Sequence, residues 1–141
     1  MGRILAIDYG IKRTGLAWTD PEQRVALPLE GIPTSLLWKR LPELLLQVEK
    51  VIIGYPRHLD NRPTDMTPLV ESFYREFQRK YPSIPVELVE ERFSTRAASY
   101  YLRQLPRSSR QNKAVSDRLA ATVLLEAYLL RPRYGPSDCA V

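Results

Sequence analysis

Three acidic residues, Asp8, Glu91 and Asp117, stand where separate segments of the chain begin or end. Asp8 follows the apolar residues 4–7, Glu91 closes a segment rich in valine and leucine, and Asp117 lies near the start of a C-terminal helical pattern. Ligands bind beyond the carboxyl ends of neighbouring parallel strands, so acids at such ends can meet although they are distant in sequence. An unpaired charge buried there would cost several kcal/mol, which calls for a counter-charge.

Converging carboxylates without histidine or cysteine are suited to Mg²⁺ or Mn²⁺, because these ions prefer oxygen ligands and keep water molecules that a phosphate can displace. Two such ions about 4 Å apart can activate water and stabilise the leaving oxygen of a phosphodiester. The residue types therefore predict a metal-dependent nuclease with two ions. Asp8, Glu91 and Asp117 are the expected catalytic residues and metal ligands.

Each acid also has a simpler structural interpretation. Asp8 could form an Asx turn, Glu91 could pair with Arg92 or Arg96, and Asp117 could favour the positive end of a helix. For each acid alone, these roles are about as plausible as catalysis. Their coincidence at the ends of elements, beside a strongly basic segment, favours catalysis.

The basic residues are unevenly distributed. The chain has a net charge of +5 and a pI near 9.5, and no acid interrupts the basic residues between Glu91 and Asp117, which are Arg92, Arg96, Arg103, Arg107, Arg110 and Lys113. Clustered lysine and arginine gain affinity for nucleic acid by releasing phosphate counterions, although such a run could also be a solvated loop. The expected contacts to a phosphate backbone are Lys12, Arg13, Arg92, Arg110 and Lys113.

Several other chemistries are disfavoured by composition. The chain has one histidine, His58, in a polar segment and one cysteine, Cys139, near its end. A histidine-rich metal site and a disulfide framework are therefore impossible within one chain. The glycine spacing matches neither a dinucleotide nor a P-loop motif. No apolar run approaches the length of about 18 residues that a membrane span needs. We expect a soluble, unexported, cytoplasmic protein.

The first third of the chain predicts an antiparallel meander. Strands are expected at 3–8, 14–19 and 25–32, and Pro28 indicates that the third lies at an edge or carries a bulge. A helical pattern follows, in which Pro42 either kinks the helix or marks its first turn. The apolar positions of this helix are Leu37, Leu41, Leu44, Leu45 and Val48.

The rest of the chain alternates strands and helices. A strand at 51–56 and a polar loop at 57–67 precede a helix in which Thr67 is the predicted N-cap and Leu69, Phe73 and Phe77 share one face. Four further segments are expected after this helix. They are a strand at 84–91, a helix from Ser94 or Thr95 to 102, a mobile basic loop at 105–113 and a final helix at 115–130. Asp117 is placed in the first turn of that last helix. This order predicts an α/β domain with a mixed sheet.

Four segments together resemble the YqgF/RuvX family of nucleases. They are IDYGIKRTGLAW (7–18), VIIGYPRHLD (51–60), VEERFSTRAA (89–98) and KAVSDRLAATVLLEAYL (113–129), in family order and spacing. The chain departs from the family pattern at Glu90, where aspartate is usual, and at Asn61 and Arg62, where glycine and serine are usual. The departure at Glu90 leaves open whether that residue contacts a metal.

The resemblance implies a ribonuclease H-like fold: a mixed central sheet, made of an antiparallel meander and then alternating helices and strands, flanked by helices. It places the family carboxylates on Asp8, Glu91 and Asp117. It also implies a cytoplasmic endonuclease that matures the 5′ end of precursor 16S ribosomal RNA, with Holliday-junction resolution as the alternative.

Residues 1–131 are expected to form one nuclease domain, and residues 132–141 a disordered tail. A non-catalytic RNA-binding module on the same scaffold is a further alternative, which predicts salt-sensitive binding without turnover. The expected partner is nucleic acid, with no membrane association, and the protein is expected to be a monomer or a weak homodimer.

Overall fold

A computed structural model describes residues 2–55, 66–90 and 113–130, including the side chains of this last segment from Asp117 onward. Within these residues five strands and three α-helices form. The strands are β1 (Arg3–Asp8), β2 (Arg13–Thr19), β3 (Ala26–Pro33), β4 (Val48–Tyr55) and β5 (Val86–Glu90). The helices are α1 (Leu37–Leu45), preceded by a 3₁₀ turn (Thr34–Leu36), α2 (Thr67–Lys80) and α3 (Lys113–Leu130).

The described strands form one mixed sheet in the order β3-β2-β1-β4-β5. β1, β2 and β3 pair antiparallel, which confirms the predicted meander, whereas β4 runs parallel to β1 and β5 runs parallel to β4. The carboxyl ends of β1, β4 and β5 therefore lie at the same edge of the sheet. This edge is called the carboxyl edge below.

Each face of the sheet is covered by different helices, because successive side chains of a strand point to opposite faces. In β1, Leu5 and Ile7 pack into the core that contains the buried residues of α1 and α2. Ile4 and Ala6 pack instead with Ala121, Leu124 and Leu125 of α3. We refer to this second side of the sheet as the α3 face.

Pro28 both lies at an edge and coincides with a bulge, so the two alternatives predicted for it occur together. β3 is the outermost strand on its side, where the missing N–H of proline breaks no ladder. The register with β2 shifts between Leu16, which faces Glu30, and Ala17, which faces Pro28. The shift leaves one extra residue in β3.

Several element boundaries differ from the sequence predictions. Val48 was expected on the helix but begins β4, and α1 starts at Leu37, so Pro42 lies inside the helix and not in its first turn. The N-cap of α2 is Met66 and not Thr67, which is the first helical residue. Leu69 is exposed, and Val70 instead joins Phe73 and Phe77 in the core.

The last helix begins two residues earlier than expected, at Lys113, so Asp117 lies in its second turn. The prediction that Asp117 occupies the first turn was wrong, and its interaction with the positive end of the helix falls off over that distance. Four predicted segments lie wholly or mostly outside the described residues. They are the helix from Ser94 or Thr95 to 102, most of the polar loop at 57–67, most of the basic loop at 105–113, and the tail. None of the described helices is long and apolar enough to cross a membrane.

Candidate active site at the carboxyl edge

Asp8 ends β1 at the carboxyl edge and points toward the α3 face. The alternation that sends Ile4 and Ala6 to α3 puts Asp8 on the same side two residues later. Asp8 itself is only partly buried, in contrast to the four buried residues that precede it. The strand thus carries a carboxylate out of the core to a place that solvent and ions can reach.

Gly15 brings α3 against the sheet beside Asp8. Gly15 of β2 is the register partner of Asp8, and a Cβ added to it would lie 1.9 Å from the main-chain oxygen of Asp117 and 2.5 Å from its carbonyl carbon. A side chain larger than hydrogen is therefore excluded, and α3 rests directly on the β2 backbone. Asp8 and Asp117, which are 109 positions apart in the sequence, lie on either side of one glycine.

Arg13 joins Asp117 to the sheet. Its Nε donates a hydrogen bond to Asp117 Oδ2 at 2.6 Å, and its Nη2 donates to the Gly31 carbonyl at 3.3 Å. The side chains of Arg13 and Asp117 are 31% and 25% exposed, so solvent only partly screens this ion pair. Since Arg13 begins β2 and Gly31 lies in β3, the contact links α3 to two strands.

The turn between β1 and β2 is held by Thr34, which follows β3. The Thr34 amide donates to the Lys12 carbonyl at 2.9 Å, and its hydroxyl donates to the Gly10 carbonyl at 2.7 Å. A Cβ on Gly10 would lie 2.3 Å from the Arg13 carbonyl oxygen, so the turn closes only around glycine. These contacts fix the backbone of Lys12 at the carboxyl edge, a few residues from Asp8.

A family model described as "RuvX: Holliday junction resolvase" matches residues 2–131 of the chain. The chain belongs to the RuvX family. Relatives named "Putative pre-16S rRNA nuclease" support this assignment. One from Flavobacterium psychrophilum is 41% identical over 135 residues, covering 93% of this chain and 98% of the relative. One from Bacteroides thetaiotaomicron is 38% identical over 138 residues, covering 95% and 100%.

The fold of this RuvX family member is similar to that of a solved structure. T. thermophilus RuvC, in a complex with a Holliday junction substrate, matches with a TM-score of 0.56 and 16% sequence identity, covering 92% of this chain and 96% of that chain. At this identity the likeness concerns the fold alone. It confirms the predicted ribonuclease H-like architecture.

In the described part of this RuvX family member, Asp8 is the register partner of Gly15 and the Asp117 main chain packs against that glycine, while Lys12 and Arg13 lie at the same edge. Glu91, Arg92 and Arg110 lie outside the described residues, as does the side chain of Lys113, the first residue of α3. Within the described ranges no group of three or more His, Cys, Asp or Glu residues could hold a metal. The two acids around Gly15 nevertheless supply only oxygen donors, which is the chemistry that Mg²⁺ and Mn²⁺ require.

Two contributors to this site were missed by the sequence reasoning. Gly15 lies inside a strand pattern, where an isolated glycine signals a close backbone approach, so its role could have been inferred. Thr34 carried no such signal, because its partners Gly10 and Lys12 lie more than 20 positions away. The ion pair between Arg13 and Asp117 could not be predicted from local patterns either, because 104 positions separate the two residues.

A second polar cluster lies at the other end of the α3 face. Lys50 of β4 donates to the Tyr128 hydroxyl of α3 and forms an ion pair with Glu87 of β5 at 2.9 Å, and Tyr128 donates to Glu87 at 3.4 Å. Burial alone would lower the pKa of Lys50, but the hydrogen bonds with Tyr128 and Glu87 outweigh burial and raise that pKa above its ordinary value. The three side chains satisfy one another.

Proposed function

We propose that this protein is a divalent-metal-dependent endonuclease that processes the 5′ end of precursor 16S ribosomal RNA in the cytoplasm. The observation that carries the proposal is the pair of carboxylates, Asp8 and Asp117, on either side of Gly15 at the carboxyl edge. The names of the curated relatives support the choice of RNA.

Asp8, Glu91 and Asp117 would hold Mg²⁺ or Mn²⁺, with two ions in the complete site. Glu91 follows Glu90, the last residue of β5, and in that strand Glu87 and Val89 already lie on the α3 face. In the sequence, Glu91 therefore directly follows a strand whose carboxyl end lies at the carboxyl edge. Bound ions of this kind supply Lewis acidity, which makes water a better nucleophile and stabilises a leaving oxygen.

The basic residues would hold the phosphate backbone across these acids. The Thr34 contacts fix the Lys12 backbone at the edge where Asp8 ends, so the turn presents a cation next to the carboxylates. Such contacts position a substrate but carry no sequence information. The residues proposed for this role are Lys12, Arg13, Arg92, Arg110 and Lys113.

Residues 1–131 would act as one nuclease domain, with residues 132–141 as a tail that the reaction does not need. We propose a monomer or weak homodimer for RNA processing, since one cut requires one site. A dimer would suit the alternative, because two symmetric cuts in a junction call for two sites related by a two-fold axis.

The proposal is tested by incubating the purified protein with Mg²⁺ or Mn²⁺ and equal amounts of a precursor 16S RNA fragment and a four-way DNA junction. We expect RNA cleavage that is at least about tenfold faster than junction cleavage, and loss of cleavage in Asp8→Asn and Asp117→Asn. Glu126→Gln is a matched control, because Glu126 is an exposed acid on the same helix. Unchanged cleavage by Asp8→Asn would overturn the mechanism.

Holliday-junction resolution is the second candidate, and the description of the family model favours it. Faster cleavage of the junction than of the RNA, by a dimeric protein, would support this alternative. Salt-sensitive RNA binding without turnover, unaffected by loss of the carboxylates, would instead indicate a non-catalytic binding module.

A further inference from the structure

Arg13 places a positive charge inside the acidic site. Arg13 and Gly15 lie on the same side of β2, two residues apart, and this side faces α3. The guanidinium is held from two directions, by Asp117 Oδ2 and by the Gly31 carbonyl of the edge strand. Its position is therefore set by the sheet as well as by the attraction of one acid.

The contact uses only part of the Asp117 carboxylate. Nε donates to Oδ2, so the second oxygen, Oδ1, takes no part in this hydrogen bond. A guanidinium that donates through Nε to one oxygen restricts the rotation of the carboxylate. At the same time the guanidinium compensates the negative charge of Asp117. A metal cation bound at this carboxylate would compensate the same charge.

We propose that Arg13 is a positioning residue that orients Asp117 and lowers the affinity of the acidic site for divalent cations. The inference rests on the proposed function, because it requires that Asp117 contributes to cation binding. In this arrangement Arg13 compensates the charge of Asp117 in the absence of a metal. A divalent cation must then bind against the charge of the guanidinium, which limits how tightly the protein alone holds the ion.

Two simpler roles for Arg13 make different predictions. If the ion pair serves only stability, its removal lowers the melting temperature and leaves cation affinity unchanged. If Arg13 only contacts phosphate, its removal weakens nucleic-acid binding and again leaves cation affinity unchanged. Affinity for a divalent cation, measured without nucleic acid, therefore distinguishes the proposed role from both.

The test is titration of the full-length protein with Mn²⁺, with free Mn²⁺ followed by electron paramagnetic resonance. We expect Arg13→Met, which keeps the aliphatic part of the side chain, and Arg13→Gln to bind Mn²⁺ about threefold to tenfold more tightly than wild type. Arg118→Gln is the matched control, because Arg118 is exposed, adjacent to Asp117 in sequence and carries the same charge. It should change the affinity by less than about twofold.

Unchanged or weaker Mn²⁺ binding by Arg13→Met and Arg13→Gln would overturn the inference. Arg13→Lys keeps the charge and provides a second test if those variants do not fold. A Mn²⁺ affinity within about twofold of wild type would support a charge effect, whereas a larger increase in Mn²⁺ affinity would contradict it. Asp117→Asn separates this inference from the proposed function. If wild type and Asp117→Asn bind Mn²⁺ equally, the proposed metal site fails, and the role of Arg13 fails with it.

Discussion

The two ends of the α3 face carry polar clusters of opposite character. At the amino end of β4, Lys50 is surrounded by the Glu87 carboxylate and the Tyr128 hydroxyl, so one cation meets one acid. At the carboxyl edge, Arg13 contacts Asp117, and Asp8 is the register partner of Gly15, so two acids that are candidate metal ligands lie beside one glycine. Both clusters join α3 to the sheet, one through the Arg13–Asp117 ion pair and the other through the hydrogen bonds of Tyr128.

The difference separates attachment from function. A balanced cluster leaves no charge for a ligand to compensate, and its contribution is the docking of α3. Acids at the edge where parallel strands end lie where ligands bind in folds of this kind, which indicates a binding role. The same helix is thus fixed at one end and carries a candidate metal ligand toward the other.

The largest expected effect is that of Gly15→Ala, which disrupts the close approach of α3 to the β2 backbone. A methyl group at this position would collide with the Asp117 main chain, and backbone cannot rotate away as a side chain can. We expect a loss of at least about 2 kcal/mol in the free energy of unfolding, together with loss of cleavage. Urea denaturation and RNA cleavage assays measure the two effects. A variant as stable as wild type would contradict the close approach.

Asp117→Asn should remove activity without removing stability. The substitution keeps the shape and one oxygen acceptor for Arg13, so the unfolding free energy should change by less than about 1 kcal/mol. Cleavage should fall by about a hundredfold or more if the carboxylate acts on the reaction. Urea denaturation measures the unfolding free energy, and single-turnover kinetics measure the rate constant of cleavage. A large loss of stability with activity retained would make the Arg13 pair merely structural.

Tyr128→Phe should have the reverse profile. Removing the hydroxyl leaves Lys50 and Glu87 paired but deletes two hydrogen bonds between α3 and the sheet. We expect a decrease of about 1 kcal/mol in the unfolding free energy and cleavage equal to wild type. If Tyr128→Phe lost as much cleavage activity as Asp117→Asn, the two ends of α3 would not be functionally separate.

The smallest expected effect is a pH dependence of stability. Because the pKa of Lys50 is raised in the folded protein, its charged form stabilises the fold fully below the ordinary value of 10.5, and this contribution is lost as the pH rises through the folded value. Unfolding free energies at about pH 9 and about pH 11 should therefore differ more for wild type than for Lys50→Met. Equal differences would contradict the raised pKa. The groups facing Lys50 in the described structure are Glu87 and Tyr128.

Local patterns predicted much of the scaffold. The strand of residues 3–8 was placed at its observed bounds, since four buried apolar residues between polar ends leave little alternative. Boundaries failed where one residue type suits two elements. Val48 continues the helical spacing of Leu41 and Leu45, yet it pairs with Arg3 and begins β4. Pairing with a neighbouring strand in the sheet here outweighs the local helical pattern.

The amino-acid sequence by itself determined the mixed α/β scaffold, the family and the candidate acids Asp8, Glu91 and Asp117, because periodicity and motif spacing are properties of the order of residues. Tertiary structure decided what surrounds those acids. It placed Asp117 against Gly15, paired it with Arg13 and closed the β1–β2 turn with Thr34. Such contacts join segments far apart in the chain, and their geometry exists only after the helix has docked on the sheet.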